Sequence, residues 1–393
     1  MRITILLSML LLVISFGCGE DVVVEDLKLE ERNGVMYLPN DEEPYTGEYL
    51  KWHENGQKKE EGTYKDGKED GRWMLYDENG QKEFDTTYKD GKVDGLETLW
   101  YENGKKATEA IHKDGKKDGL ETWWYENGQK WNEITYKGGN PDGRFTGWHE
   151  NGQKHFEGTY KDGKRDGLWI EWWENGQKRG EGTYKDGKAD GPWRSWFENG
   201  QKHSQSTYRD DNPDGPWMRW YEDGQKRGEG TYKNDKKDGP WKLWYENGQK
   251  RGEGTYKNDK KDGLWTYYDE DGQKRVETTY KEGKKDGLWR GWDKQGNITK
   301  QTTYKNKQNV GERNYKDGKQ DGRWTEWGAG GQKGEGVYKD GKKDGSWIYY
   351  GENGKKVGEG AYKDGEKDGS WMEWDKRGNV IKQITYKNGV RVK

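Results

Sequence analysis

The sequence is poor in almost everything that usually builds a globular core. Of its 393 residues one is Cys, 7 are Pro and 5 are Phe, and only 27% are hydrophobic. A single Cys excludes a disulfide scaffold, and low Pro beside abundant Gly does not make the chain a flexible linker. The one long apolar run, Ile3 to Phe16, has fourteen residues, short of the roughly 20 that span a bilayer as a helix. A bundle of membrane helices is therefore excluded. An excess of one charge is also lacking: 71 basic and 74 acidic residues leave −3, which gives no bias toward nucleic acid as a partner. With 37% of residues charged, the chain reads at first as disordered. Trp and Tyr contradict that, at 24 and 26 residues beside 61 Gly, because disordered chains are poor in aromatics.

The start of the chain has its own logic. Met1-Arg2, the apolar run and then Gly17-Cys18-Gly19-Glu20 form a secretory signal with small residues at the cleavage point. With the only Cys placed there, the segment resembles a bacterial lipoprotein signal, although Ser15 stands where such signals usually carry Leu. The resemblance implies lipidation of Cys18, residues 1–17 as the cleaved signal, and membrane anchoring through the lipid. Gly19 after the Cys implies the outer membrane or cell surface.

A period of 24 residues fills the rest. Tyr64, Tyr88, Tyr136, Tyr160, Tyr184 and Tyr208 keep this beat, with His112 in the skipped place, and so do Gly56, Gly80, Gly104 and Gly128. Units opening at Gly47 and recurring to Gly369 number fourteen, with one truncated copy at Gly311. The organisation is a tether and cap over 18–46, regular repeats over 47–310, a truncated repeat over 311–321 and three more repeats over 322–393. From Lys307 to Tyr315 the truncated copy has lost one strand and one turn. Its remaining residues are either a single strand, which sends later turns to the opposite edge, or a loop.

Each unit, such as Gly167 to Asp190, carries two turn signals. Asn175-Gly176 and Asp186-Gly187 both predict two-residue type I′ turns, which need positive φ at both centres. Asp190-Gly191 predicts a bulge. Centring the hairpin on Asn175-Gly176 sets Trp169 opposite Gly182 and Gly167 opposite Tyr184, rings facing bare backbone. One face then carries Gly167, Trp169, Trp173, Gly182 and Tyr184, and the other Leu168, Trp172, Glu181 and Thr183. The expected fold is all-β: an elongated, twisted antiparallel β-meander of tandem 24-residue hairpins.

The unit Gly-x-Trp-x-x-Trp-Tyr-Glu-Asn-Gly-Gln-Lys-x-x-Glu-Gly-x-Tyr-Lys-Asp-Gly-Lys resembles the variant form of the membrane occupation and recognition nexus (MORN) repeat. Bacterial proteins of this kind are often labelled YwqK-like antitoxins. Glu97 and Glu121 in the first Trp column, His112 in the Tyr column and the truncated copy depart from the pattern. The resemblance implies serial β-hairpins and a role in protein or membrane association, and it brings no catalytic residues. An exported lipoprotein is badly placed to neutralise a cytoplasmic toxin.

Catalytic and metal signals are sparse. His53, His112, His149, His155 and His203 are scattered without partner spacing, and no nucleophile elbow, zinc spacing or phosphate loop is present. In Asp186-Gly187-Lys188-Ala189-Asp190 a Lys stands where a calcium ion would sit. No enzyme, cofactor or metal is expected. The candidate binding surface is the second Trp column: Trp100, Trp124, Trp148, Trp172, Trp196, Trp220 and Trp244. The plainer reading is that the aromatics are the core; if the ribbon instead buries one column and exposes the other, this column, set among Thr and charged residues, is the one expected outside. The leading reading is a non-enzymatic, lipid-anchored repeat protein offering a β surface to a protein partner or the cell envelope. Cell-wall glycan binding through the Trp and Tyr columns is the alternative, and inhibition of a partner, as by an antitoxin, the third.

Overall fold

The computed structural model describes residues 27–305, 308–328 and 331–392; Cys18 lies outside them. The described residues contain strands, turns and no helix, and the strands follow one another as an antiparallel meander. Two compact units divide them: one reaches to Phe145 and includes Glu150–Gly152, the other comprises Thr146–His149 and the chain from Gln153 onward. The first opens with a small hairpin, Glu30–Arg32 against Val35–Tyr37. Its Met36 N–H donates to the carbonyl of Gly67 (2.8 Å), which ties it to the first full repeat.

The repeat hairpin has the expected register. Gly167 lies opposite Tyr184 and Trp169 opposite Gly182. The Asp-Gly turn is also as expected, with φ of +50° at Asp186 and +87° at Gly187, and so is the bulge at Asp190-Gly191, where Thr183 Oγ1 donates to the Asp190 carbonyl. The Asn-Gly turn differs. Gly176 N–H donates to the Trp173 carbonyl (2.9 Å) and Trp173 N–H to the Gln177 carbonyl (2.8 Å). That is a three-residue loop, a type I turn closed by Gly176 at φ +81°, and not type I′. The physical reason lies in Asn175: its Oδ1 accepts from Gln177 N–H (2.9 Å) and its Nδ2 donates to the Glu198 carbonyl of the next tip (2.9 Å). The extra loop residue is absorbed by Arg179, which bulges out of the pairing between Glu171–Gly180 and Trp172–Lys178. Two departures cancel, and the register survives.

The core is one ring thick. Trp265 and Trp347 are 1% and 0% exposed, yet strand contacts run between chain neighbours. Most of these Trp cover a glycine eleven residues earlier: Trp169 on Gly158, Trp193 on Gly182, Trp241 on Gly230, Trp265 on Gly254. The ring over Gly182 thus comes from the following unit's Trp193, although Trp169 is also its cross-strand neighbour. Cations roof the other ring face, with Arg165 Cζ 4.2 Å above Trp169 and Lys343 Nζ 3.9 Å above Trp347. The Tyr column supplies the walls: Tyr160, Trp169, Tyr184 and Trp193 meet edge to face at 5.4, 6.0 and 5.5 Å. Each such pair adds about 0.5–1.5 kcal/mol beyond area burial.

The pairing of ring and glycine is legible as a rule within the chain. Where Glu97 and Glu121 replace Trp, the glycine slots hold Thr86 and Ala110. Where Ser206 and Thr278 block the slot but Trp remains, the ring moves: Trp217 leans toward Gly228 and stacks on Trp241 at 5.0 Å, and Trp289 folds over Gly291.

The truncated copy is a strand. Gln308–Lys316 pairs with Ile298–Lys305 on one side and Lys319–Trp327 on the other, so the two turn types exchange edges there. The faces exchange as well. Glu312 lies opposite Thr302 and Arg313 opposite Trp324; neighbours in a strand point to opposite faces, so the later Trp column sits on the other side. Tyr315 OH accordingly meets Gln301 Oε1 at 3.5 Å. A twisted sheet is chiral, so an array entered from its other edge keeps its packing only after a half-turn, which swaps both edges and faces.

Candidate functional site

The seven Trp of the candidate surface are all half-buried, more open than Trp169, Trp241 and Trp265 of the first column, which are buried. Their cover is a lysine eighteen residues earlier in each unit. Lys82 lies 5.9 Å from the Trp100 ring, Lys106 5.8 Å from Trp124, Lys154 5.4 Å from Trp172, and Lys178 5.7 Å from Trp196. Lys202 and Lys226 stand 5.7 Å from Trp220 and Trp244. Carboxylates three residues on hold five of these six cations, Gln205 standing in that place beside Lys202. Glu181 takes Lys178 (2.8 Å) and, from the next strand, Arg194 (2.9 Å); Glu229 takes Lys226 (2.8 Å) and Lys242 (3.4 Å). The lysine hydrogen bonds come first in holding the Glu181 and Glu229 carboxyls below their ordinary pKa. The result is a layered face of indole, ammonium and carboxylate, on which Leu168 and Leu264 stand out at 51% and 54% exposure.

A third ring column lies at the Asn-Gly edge. Trp173 was placed on the core face by alternation, but its neighbours in the column and the bulged residue beside it had no sequence signal. Arg179 Cζ lies 4.9 Å from the Trp173 ring, Arg227 5.5 Å from Tyr221 and Arg251 5.8 Å from Tyr245. His155 packs on His149 at 4.3 Å and His203 on Phe197 at 4.5 Å. Each ring also reaches forward one unit: Trp173 Nε1 donates to the Trp196 carbonyl (3.3 Å), Tyr221 OH to that of Trp244 (2.9 Å) and Tyr245 OH to that of Tyr268 (2.9 Å). Hollows recur in the same repeat positions. One of about 320 Å³ is lined by His149, Trp172, Trp173 and Arg179, and one of about 340 Å³ by Tyr245, Tyr268, Arg251 and Arg275. An equivalent in the N-terminal unit, about 500 Å³, borders His53, Tyr76 and Asp77.

Acid–base chemistry finds little purchase at the histidines. Ser195 Oγ is 3.2 Å from His203 Nδ1, but Arg219 donates to His203 Nε2 (3.2 Å), so the Nδ1–H points at the hydroxyl and no free base faces it. Burial, then Arg219, pushes the His203 pKa down. Burial and His149 do the same for His155. Among the described residues no three His, Cys, Asp or Glu side chains are grouped to hold a metal ion.

No curated protein matches. Among solved structures, the crystal structure of TcdB2-TccC3 is 12% identical, with a TM-score of 0.16, over 90% of this chain and 23% of that one. A structure of the Photorhabdus luminescens Tc holotoxin pore is 11% identical, with a TM-score of 0.16, over 90% and 22%. This chain therefore spans under a quarter of the length of those chains. The family described as "MORN repeat variant" matches residues 45–66, 69–90, 93–114, 117–137, 141–162, 165–186, 189–210, 213–234, 237–258, 261–282, 285–306, 343–364 and 367–388. The matches stop across the stretch holding the truncated copy and the unit at Gly322, which is one residue short. Over well more than half its length, unit by unit, the chain belongs to the MORN repeat variant family.

Proposed function

We propose that this chain is a non-enzymatic repeat protein whose layered Trp–Lys–Glu face binds a protein partner at the cell envelope. The observation that carries the reading is that exposed leucines share the face of the half-buried Trp column within each unit, Leu168 and Leu264 in the C-terminal one and Leu96 and Leu120 in the N-terminal one. An apolar centre rimmed by ordered charge pairs is the anatomy of a protein interface, and the pairs set register more than affinity. Because lysines cover the indole faces, sugar stacking on this column is disfavoured. Lipidation of Cys18 in an exported chain places the array at a membrane surface in this proposal. Two variants test it. Leu168→Asp with Leu264→Asp should abolish affinity capture of the partner from envelope extract without lowering the unfolding temperature; identical captures refute the face. Cys18→Ser should release the chain from membranes, and continued fractionation with membranes refutes the anchor.

A further inference from the structure

The same five residues, Glu-Asn-Gly-Gln-Lys, surround Asn55, Asn79, Asn127, Asn175, Asn199 and Asn247. Their local chemistry is therefore alike, and only the fold can tell them apart. The glycine N–H is held alike too, donating at all six tips to the carbonyl three residues back at 2.8–3.0 Å. At Asn55, Asn127, Asn175, Asn199 and Asn247 the side chain is held twice. Its Oδ1 accepts from the Gln N–H two residues on, at 2.8–3.0 Å. Its Nδ2 donates to the Glu carbonyl of the next tip, at 2.6–3.3 Å. Asn79 is exposed and makes neither bond among the described residues. The cause is Asp77, in the place held elsewhere by His53, Tyr125, Trp173, Phe197 and Tyr245. Its Oδ1 accepts from Asn79 N–H (2.9 Å) and from Gln81 N–H (2.7 Å), and so takes the donor that fixes the other asparagines.

We propose that Asn79 is a site of spontaneous deamidation, the one of these six tips that the array leaves unprotected. The Gly80 nitrogen attacks Asn79 Cγ: the N–Cγ bond forms, the Cγ–Nδ2 bond breaks, and ammonia leaves with the Gly80 amide proton. Water then opens the succinimide at either carbonyl and leaves aspartate or isoaspartate. At the other five tips both side-chain hydrogen bonds must break before Cγ can turn onto the glycine nitrogen. Two such bonds lower the population of the reactive rotamer at least about tenfold. The product adds a carboxylate to the hollow that Asn79 lines with Asp77, Glu78, Glu83 and Glu102, and isoaspartate also lengthens the main chain there by one atom. The modification depends neither on the Trp–Lys–Glu face nor on the lipid anchor.

The full chain is incubated at mildly alkaline pH and mapped by peptide mass spectrometry, and each folded rate is divided by that of the same asparagine in urea. Asn79 should keep a rate at least about tenfold above the other five on this scale. Asp77→Tyr, which gives this tip the aromatic found at Tyr245, should slow Asn79 to the level of the others. Tyr245→Asp should speed Asn247 by a similar factor, and circular dichroism checks that both variants fold. Equal rates at all six tips of the folded chain overturn the proposal. So does an Asn79 rate unchanged in folded Asp77→Tyr, or an Asn247 rate unchanged in folded Tyr245→Asp.

Discussion

The slot shared by a glycine and the Trp eleven residues later is the sharpest claim on stability. A Cβ on Gly254 would overlap Cδ2 and Cε2 of Trp265, whose ring is 1% exposed, and Gly254 has no positive φ to complicate the change. Gly254→Thr should therefore act through crowding, at about 1–3 kcal/mol. Trp265→Glu removes the ring and should cost about 3–5 kcal/mol. The double variant recreates the combination of Thr86 and Glu97 found earlier in the chain: the threonine fills the void, and Lys261, which already roofs Trp265 at 4.7 Å, meets the new carboxylate as Lys117 meets Glu121. It should be at least about 1 kcal/mol more stable than the sum of the single effects. Repeat arrays open locally, so native-state hydrogen exchange over residues 250–268 is the measurement. Additivity within about 0.5 kcal/mol would mean that ring and glycine do not share a slot.

Other expectations follow from the same geometry. Deleting Arg179 should be tolerated at under about 1 kcal/mol, because the bulge only absorbs the loop's extra residue; the unit at Gly322 lacks that residue and pairs from Gly322–Tyr338 to Trp327–Lys333 without a shift. Deleting Thr183 should instead unfold the hairpin by reversing its faces, and thermal unfolding followed by circular dichroism separates the two. Burial first, and then hydrogen bonds to Glu61 and Glu253, push Tyr76 and Tyr268 up to about 12. A raised folded pKa gives stability that is complete below the ordinary value of about 10 and is lost as pH climbs toward 12, so phenolate absorbance should lag and then rise together with unfolding. The lowered Glu181 and Glu229 act oppositely: their contribution is present above about pH 4.3 and fades as pH falls below it. An acid limb absent from the stability profile would count against these pairs.

Strand count, alternation of faces and register were readable from one unit because the turn residues and the period constrain them. The prediction of Trp169 opposite Gly182 was right through compensation, since the three-residue loop at Asn175-Gly176 and the bulge at Arg179 offset each other. The second Trp column is the more open of the two, as its Thr and charged neighbours imply, but what covers it was not legible. A lysine eighteen residues away in sequence is on the adjacent strand in space, and nothing in a single unit shows that its ammonium rests on Trp196.

By itself the sequence determined the period, the two strands per unit and the need for glycine, since these follow from positive φ at turns and from the room a ring takes. Which ring covers which glycine was decided only in three dimensions, because Gly182 has a Trp across from it on both sides and it is the Trp193 ring that lies over it. The same holds for the half-turn after Gln308–Lys316. One missing strand looks like a change of edge on paper, but a chiral sheet cannot change edge without also changing face.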